Sequence, residues 1–351
     1  MPAVNMGASV DGEIEGGVAD LSANGTANSY IVSKSGTYKF STVKGNSSES
    51  VGVVEDAEVL WETFGTDQQP SVGDLVKDVS YKDGEITFTA TDKKGNAVIA
   101  ANDADGNILW SWHIWLTDQP EGQVYYNNAG TMMDRNLGAT FATPGDVGAL
   151  GLLYQWGRKD PLLGSSSSVA ASSTITWPSA VQSDALTGTI EYSIVNPTTF
   201  IYRNEVNCDW YYTGSTETDN TRWTESYTDK SIYDPCPFGW RVPDGGENGV
   251  WSKALGSSSD FSHTFSENRG MDFSGVLGAD SSIWYPASGV LNETNGVFAI
   301  AGDWGSYWSA THPDSASSPN AYTFSFYLAP KVMLQRSGSR AYGMPVRCVQ
   351  E

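Results

Sequence analysis

The chain has 351 residues, and its 41 acidic and 20 basic residues give it a formal net charge of −21. This charge argues against nucleic acids and anionic membranes as partners, because both are bound by clustered lysine and arginine. Aromatic residues make up 12% of the chain and charged residues only 17%, whereas disordered chains are rich in charge and poor in aromatics. No apolar run approaches the roughly 20 residues that a membrane-spanning helix requires. We therefore expect a soluble, globular, mainly β protein.

The basic residues divide the chain into two modules. Those before about residue 123 are all lysines, and every arginine lies after that point. We predict a flexible acidic leader at residues 1–25, a β-sandwich domain at 26–118, a polar linker at 119–123 and a second domain at 124–351. The leader has no basic segment followed by an apolar core, so we expect the export signal to be absent from this chain.

The first module has apolar residues at period two between well-marked turns, which is the pattern of short strands. We predict strands at residues 29–32, 37–40, 57–61, 79–81, 85–89, 97–103 and 107–116. Seven short strands in so few residues are typical of an immunoglobulin-like sandwich. On the last strand, Trp110 and Trp112 share one face and Trp115 points to the opposite one. His113 has no second ligand at metal-binding spacing, so we interpret it as a structural histidine.

The second module is rich in Trp, Tyr, Gly and Ser and has few stretches of helical period. Apolar spacing predicts short helices at residues 148–157 and from about 243 to 255. Short strands are predicted at residues 284–287, 306–310, 321–326 and 344–349. We expect a small α+β fold with much loop, and its predicted core contains Trp156, Trp240, Trp251 and Trp308.

The second module also contains a predicted ion pair and the cysteines of the chain. Asp134 and Arg135 are predicted to form a buried ion pair with Arg241 or Arg347, in a structural role. The cysteines of the chain are Cys208, Cys236 and Cys348, which allow one disulfide and leave one thiol over. Their spacing contains no CxxC element, which argues against a zinc or iron–sulfur site.

Five blocks of the second module carry a resemblance to a known family. They are residues 132–139 (MMDRNLGA), 153–160 (LYQWGRKD), 233–243 (YDPCPFGWRVP), 307–310 (YWSA) and 346–349 (VRCV). In this order they resemble the Fibrobacter succinogenes major paralogous domain, a family distantly similar to formylglycine-generating enzymes and C-type lectins. Residues 28–40 (NSYIVSKSGTYKF) and 108–115 (ILWSWHIW) are similar to the β-sandwich that precedes this domain in surface and fimbrial proteins of Bacteroides-type bacteria.

The resemblance implies an immunoglobulin-like β-sandwich followed by a C-type-lectin-like domain, in an exported protein of the cell surface, outer membrane or fimbrium. The first and last strands of a C-type-lectin-like fold lie side by side, which implies a disulfide between Cys236 and Cys348 and a free Cys208. The implied function is that of a pilus-tip adhesin. Its second domain would bind a glycan or protein on a host or microbial surface, and its sandwich would contact other pilus subunits.

Sites known from similar folds are not matched in this chain. Formylglycine-generating enzymes bind copper through a cysteine pair, but the cysteines in the family blocks are those of the implied disulfide. Calcium-dependent lectins use Glu-Pro-Asn or Gln-Pro-Asp with Trp-Asn-Asp as oxygen ligands, and this chain has neither set. The histidines His113, His263 and His312 are scattered singly, and common catalytic motifs are missing. We therefore expect no enzyme activity, no metal and no cofactor. Two alternatives to the adhesin are a structural surface subunit without a ligand and, less favoured, an orphan formylglycine-generating-type enzyme.

The last fifty residues combine family blocks with residues that are less typical of the family. Such a mosaic resembles the variable proteins of diversity-generating retroelements, which rewrite adenine-containing codons to vary a binding face, although ordinary family drift gives the same pattern. Strand alternation predicts that Tyr322, Phe324 and Phe326 face inward and that Thr323, Ser325 and Tyr327 face outward. The predicted ligand-binding residues are Trp304, Tyr307, Thr311, His312, Asp314, Ser317, Asn320, Thr323, Ser325, Tyr327, Met333, Gln335, Arg336 and Ser337.

Overall fold

The computed structural model describes residues 17–65, 70–167, 179–205, 207–215, 218–226, 229–256, 265–266, 268–280, 282–313, 318–327 and 331–351. Within these ranges the protein is mainly β, as predicted, and its α-helices are short. None of the helices in the described ranges combines the length and the apolar character that crossing a membrane requires.

Residues 18–116 form two four-stranded sheets that enclose a common hydrophobic core. Their strands are β1 (Val18–Asp20), β2 (Ser29–Val32), β3 (Gly36–Ser41), β4 (Asp56–Thr63), β5 (Val76–Lys82), β6 (Glu85–Ala90), β7 (Gly95–Asn102) and β8 (Ile108–Leu116). One sheet has the order β1-β3-β6-β5 and the other the order β2-β8-β7-β4. The seven predicted strands are confirmed as β2 to β8, because the alternation that marks a strand is a local property of the sequence.

The tryptophans of β8 divide between two cores, as predicted. Trp110 and Trp112 are buried in the core between the two sheets, together with Phe40. Trp115 is also buried, but it points to the opposite face and joins a core formed by the following part of the chain. Strand β8 therefore contributes both to the sandwich and to the packing between the two parts of the chain.

Residues 122–350 form short strands in several small sheets. The strands are β9 (Gly122–Tyr125), β10 (Gly130–Met133), β11 (Tyr154–Gln155), β12 (Ser179–Gln182), β13 (Thr199–Tyr202), β14 (Thr224–Ser226), β15 (Asp229–Lys230), β16 (Trp240–Arg241), β17 (Phe265–Ser266), β18 (Gly270–Asp272), β19 (Trp284–Pro286), β20 (Val290–Leu291), β21 (Phe298–Ala299), β22 (Trp304–Trp308), β23 (Asn320–Tyr327), β24 (Lys331–Ser339), β25 (Gly343–Met344) and β26 (Val349–Gln350). The helices are α1 (Ile190–Val195) and α2 (Val250–Leu255), with 3₁₀ turns at Tyr126–Asn128 and Val147–Ala149.

These strands pair across long stretches of sequence. The sheet orders are β16-β26-β10-β9, β11-β25-β20-β21, β17-β18-β19 and β22-β23-β24, and β12 pairs with β13 and β14 with β15. The strands predicted at 284–287, 306–310 and 321–326 are confirmed as β19, β22 and β23. The strand predicted at 344–349 is wrong as one element, since its ends pair in two different sheets as β25 and β26. Because β9 begins at Gly122, the last two residues of the predicted linker lie in a strand.

The helix predicted at residues 148–157 is wrong. The segment begins with a single 3₁₀ turn, after which Gly151 has a φ of +73° and the chain becomes extended and forms β11. Leu152 and Trp156 then pack into one core while Leu153 packs into another. Apolar residues at three- and four-residue spacing here serve two different cores, so their spacing does not indicate a helix. The second predicted helix forms only in its last part, as α2, after a glycine-rich turn.

The beginning and the end of the second module lie side by side. Strand β10 pairs antiparallel with β26, with Met132 opposite Val349. Cys236 and Cys348 form a disulfide with their Cα atoms 6.1 Å apart, which agrees with the pairing implied by the resemblance. Cys208 is free and half-buried. The predicted core tryptophans are confirmed as buried: Trp156, Trp240, Trp251 and Trp308.

A buried polar contact links β8 to the segment after β11. Lys159 Nζ lies 2.6 Å from Asp160 Oδ1 and donates to the backbone oxygen of Ser111 at 3.0 Å. Ser111 Oγ in turn donates to Asp160 Oδ1 at 2.5 Å. The ammonium group also lies 4.5 Å from the centroid of the Trp110 ring. The side chains of Lys159 and Asp160 are 2% and 5% exposed, so each charge depends on the other for compensation.

Candidate ligand-binding site

The predicted binding residues lie on and around the sheet β22-β23-β24. Strand β23 is central and antiparallel to both neighbours, and Ser325 lies opposite Ser306 of β22 and Met333 of β24. Phe324 and Phe326 point to one face and are fully buried, which confirms the inward prediction for them. The opposite face carries Ser325 and the candidate site.

The prediction that Thr323 and Ser325 face outward is wrong. Their exposed fractions are 1% and 0%, and Ser325 Oγ lies 3.0 Å from Thr323 Oγ1 and 2.8 Å from Ser306 Oγ. Both faces of β23 are covered, so these hydroxyls satisfy one another inside the protein. Alternation shows only that the two faces of a strand differ, and it does not show that either one meets solvent. Tyr307 is buried as well, so these three predicted residues lie beneath the surface.

Three other predicted residues form a cluster that is called the Trp304 platform below. Tyr327 and Arg336 each stack on the ring of Trp304. Trp304 lies directly opposite Tyr327 on the neighbouring strand, with ring centroids 5.3 Å apart and an interplanar angle of 14°. The guanidinium Cζ of Arg336 is 4.4 Å from the centroid of the Trp304 ring. Trp304 is 8% exposed, whereas Tyr327 and Arg336 are half-buried and reach the surface. The platform is therefore a planar aromatic and cationic group at the edge of a core.

The platform contains hydrogen-bond donors without acceptors. Trp304 Nε1 and Arg336 Nη1 are both shielded from solvent, and neither has a hydrogen-bond partner within the described ranges. Trp308, on the same strand as Trp304, donates from Nε1 to a backbone oxygen at 2.8 Å. A buried donor without an acceptor costs about 1–3 kcal/mol. Such donors also occur inside the core, for example at Trp112, but at the platform two of them lie in one stack beside half-exposed groups.

Charged groups lie near Tyr342, which packs against the same core as Trp304 and Tyr327. Burial and the nearby Glu293 raise the pKa of Tyr342, while Arg336 and Arg203 act in the opposite direction. Arg203 Nε lies 3.4 Å from Glu293 Oε1, so that guanidinium has a carboxylate partner. Burial raises the pKa of the free thiol of Cys208, which stays protonated at neutral pH. Arg336 is then the guanidinium of this surface that lacks a carboxylate among the described residues.

The remaining predicted residues divide into two groups. Met333 is half-buried and Gln335 and Ser337 are exposed, all on β24 with Arg336. Thr311 and His312 lie at the opposite end of the sheet, where the backbone oxygen of Thr311 accepts from Tyr322 N. Asn320 begins β23 at that same end. An eight-residue strand is about 25 Å long, so this second group lies far from Trp304 and Tyr327. Asp314 and Ser317 lie outside the described residues.

His113 and His312, the histidines within the described ranges, each lie within hydrogen-bond distance of neutral oxygens. His113 is buried, and its Nδ1 and Nε2 lie 2.9 Å from Ser29 Oγ and 2.9 Å from Asn96 Oδ1, which confirms it as a structural histidine. Burial lowers the pKa of His113 to about 3. His312 Nδ1 lies 2.8 Å from a backbone oxygen, and His263 is outside the described residues. In the described ranges, no three or more His, Cys, Asp or Glu side chains are grouped so that they could hold a metal ion.

Asp134 and Arg135 pair with each other, but the prediction that Arg241 or Arg347 joins them is wrong. Arg135 Nε pairs with the adjacent Asp134 at 2.9 Å. Arg241 pairs with Asp244 at 2.7 Å, three residues along its own chain segment. Arg347 lies over an aromatic ring and donates to neutral oxygens. Each distant arginine therefore has a nearer partner than Asp134.

Sequence reasoning missed three residues beside the platform: Tyr342, Arg203 and Glu293. Tyr342 lies in residues 340–343 (RAYG), a segment whose resemblance to the family predicts scaffold and not contact. Arg203 and Glu293 are far apart in the sequence and follow no motif, so no signal in the chain joins them to each other or to Arg336. Comparison of the chain with models of protein families, with curated proteins and with solved structures finds no match to any of them.

Proposed function

We propose that this protein is a non-enzymatic cell-surface adhesin that binds its ligand through the Trp304 platform. In this proposal residues 26–118 are an immunoglobulin-like sandwich and residues 124–351 a C-type-lectin-like domain, carried on the cell surface, the outer membrane or a fimbrium. The observation that carries the proposal is the stacking of half-buried Tyr327 and Arg336 on the buried Trp304 ring at the edge of the core.

The chemistry of the platform suits recognition. Tryptophan, tyrosine and arginine are the residues that dominate binding energy at interfaces. Aromatic side chains supply large contact area and lose little conformational entropy on binding. Their stacking holds the groups in place before a ligand arrives, which lowers the entropic cost of binding. Arg336 Nε and Nη2, which are not among the shielded unpaired atoms, can donate to acceptors brought by a ligand.

The sandwich supplies the surface for contact with other pilus subunits in this proposal. Strand β1 is a three-residue edge strand that runs parallel to β3, with Val18 opposite Thr37. An edge strand leaves backbone groups available for pairing with another chain. A structural subunit without a ligand remains the alternative, and it predicts that no surface is bound.

The proposal is tested by measuring binding of the full chain to a glycan array and to host and bacterial cells. We expect binding that is lost or reduced at least tenfold in Tyr327→Ala, since that change removes half of the exposed stack. The matched control is Tyr126→Ala, which removes a 40%-exposed tyrosine from a distant 3₁₀ turn. Binding that is unchanged in Tyr327→Ala would contradict this site, and no binding at all would support the structural subunit.

Diversification of the binding face is a separate part of the proposal, tested by sequencing the 3′ end of the gene and its neighbouring DNA in sibling isolates. We expect substitutions at adenine-derived codons between Trp304 and Arg340, beside a near-identical template and a reverse transcriptase. Variation should spare the buried Ser325 and include the exposed Gln335 and Ser337. Uniform variation along the gene would contradict diversification by a retroelement. An adhesin of constant specificity would then remain as the proposal.

A further inference from the structure

We infer that the ligand of the Trp304 platform is a sugar that bears a carboxylate, and that the carboxylate is received by the guanidinium of Arg336. This inference rests on the proposed binding function and adds the chemical class of the ligand. The juxtaposition that carries it is the half-buried guanidinium of Arg336, which lies over the Trp304 indole and has no carboxylate partner within the described ranges.

The stack orients Arg336 so that one edge is free. The guanidinium Cζ lies 4.4 Å from the centroid of the Trp304 ring, and Nη1 is shielded from solvent. Neither Nε nor Nη2 of Arg336 has a hydrogen bond or an ion pair within the described ranges, and neither is among the shielded unpaired atoms. Two adjacent N–H groups on such an edge match the two oxygens of a carboxylate in a bidentate pair. A guanidinium held in place by stacking loses little entropy when that pair forms.

The lack of an internal partner is notable in so acidic a chain. With 41 acidic residues available, the neighbouring Arg203 is paired with Glu293. Among the buried arginines, Arg222 is paired with Asp209, whereas Arg347 donates to neutral oxygens. Arg336 has no anionic partner within the described part of the chain, and in this proposal its Nε and Nη2 donate to a negative group of the ligand.

A sugar fits the site better than a polyanion does. Among the described residues of this site, Arg336 is the guanidinium without a carboxylate partner, and a chain with a formal net charge of −21 repels ligands that carry many negative charges. An acidic peptide or a phosphate polymer needs several cations at short intervals, whereas an acidic sugar unit needs one. The half-buried rings of Tyr327 and Tyr342 beside the guanidinium offer apolar faces with hydroxyl tips. Such faces suit the mixed apolar and hydroxyl surface of a pyranose ring.

The test is an array of sialic-acid and uronic-acid glycans, each printed beside its carboxyl-reduced counterpart, and probed with the full chain. We expect at least one acidic glycan to bind about 10- to 100-fold more tightly than its reduced form, the range expected for hydrogen bonds to charged groups. Arg336→Gln should abolish that preference. Arg336→Lys should restore only part of it, because lysine keeps the charge and loses the fork. The control Lys82→Gln removes one positive charge from β5 and should leave the preference intact.

The outcomes separate this inference from the proposed function. Binding to neutral glycans that depends on Tyr327, with no preference for any carboxylate, overturns the inference and leaves the adhesin proposal standing. Equal binding of an acidic peptide and the acidic sugar, both lost in Arg336→Gln, overturns the assignment to sugars. A carboxylate preference that survives Arg336→Gln overturns the role of Arg336. No binding to any glycan or cell overturns both proposals.

Discussion

The guanidinium of Arg336 lies over the indole of Trp304, although the two residues belong to strands that are not neighbours. Trp304 is on β22 and Arg336 on β24, with β23 between them. The intervening strand carries Thr323 and Ser325 on this face, and both are buried. Arg336 pairs with Thr323 and Trp304 with Tyr327, so the arginine side chain reaches along the sheet to the indole.

The unpaired indole N–H of Trp304 predicts an unequal response to two identical substitutions. Trp304→Phe removes a donor that has no acceptor, whereas Trp308→Phe removes one that binds a backbone oxygen at 2.8 Å. We expect Trp308→Phe to lower the free energy of unfolding by about 1–2 kcal/mol more than Trp304→Phe does. Urea unfolding followed by circular dichroism measures the difference. Equal losses would show that Trp304 Nε1 is satisfied in solution.

The disulfide between Cys236 and Cys348 should stabilise the second module strongly. It joins residues 112 positions apart, and closing so long a loop is worth about 4–5 kcal/mol in the entropic model. We expect Cys236→Ala with Cys348→Ala to lower the free energy of unfolding by about 2–5 kcal/mol. Cys208→Ala is the matched control and should have a smaller effect, since Cys208 is free and half-buried. A doubly substituted protein as stable as the parent in urea would refute the prediction.

Acid should destabilise the protein through His113. Its folded-state pKa is about 3, below the usual 6.5 of the unfolded chain, so the unfolded state binds the extra proton between those values. Its contribution is fully present above pH 6.5 and is lost as the pH falls toward 3, by up to about 1.4 kcal/mol per pH unit.

The measurement is the free energy of unfolding from pH 7 to pH 4 in the parent, His113→Gln and His312→Gln. We expect a shallower decline in His113→Gln alone. Asp234, whose pKa burial raises to about 6, acts in the opposite direction in all three proteins and cancels in the comparison. Parallel curves for the parent and His113→Gln would mean that His113 does not titrate as its burial implies.

The buried pair of Lys159 and Asp160 should be sensitive to loss of one partner. Lys159→Met leaves the Asp160 carboxylate buried without its cation, and we expect a loss of about 3–5 kcal/mol in the free energy of unfolding. Adding Asp160→Leu should recover much of that loss, because the uncompensated charge is gone. The control Lys39→Met breaks a pair with Glu85 that is 30% and 38% exposed, and it should cost less than about 1 kcal/mol. Similar losses in the two single variants would argue that Lys159 is solvated.

The predictions from sequence were most accurate where the signal is local. Strands β2 to β8 follow a period of two that each segment carries by itself, and the two faces of β8 are correct for Trp110 and Trp115. The helix predicted at residues 148–157 failed because Leu152 and Leu153 pack into different cores, which periodicity within one segment does not show. The residue types Trp, Tyr and Arg at the candidate site indicated binding. Whether each side chain is exposed could not be predicted from the sequence.

The sequence by itself determined the mainly β class, the strands of the first module, the buried tryptophans and a set of aromatic and polar residues near the end of the chain. Only the tertiary structure decided which members of that set meet. Trp304 meets Tyr327 because antiparallel pairing places them opposite each other, and Arg336, which pairs with Thr323, reaches the Trp304 ring through its long side chain. Tyr307, Thr323 and Ser325 are instead covered by packing. Pairing register and burial depend on contacts between residues that are distant in the chain, and local periodicity carries no information about them.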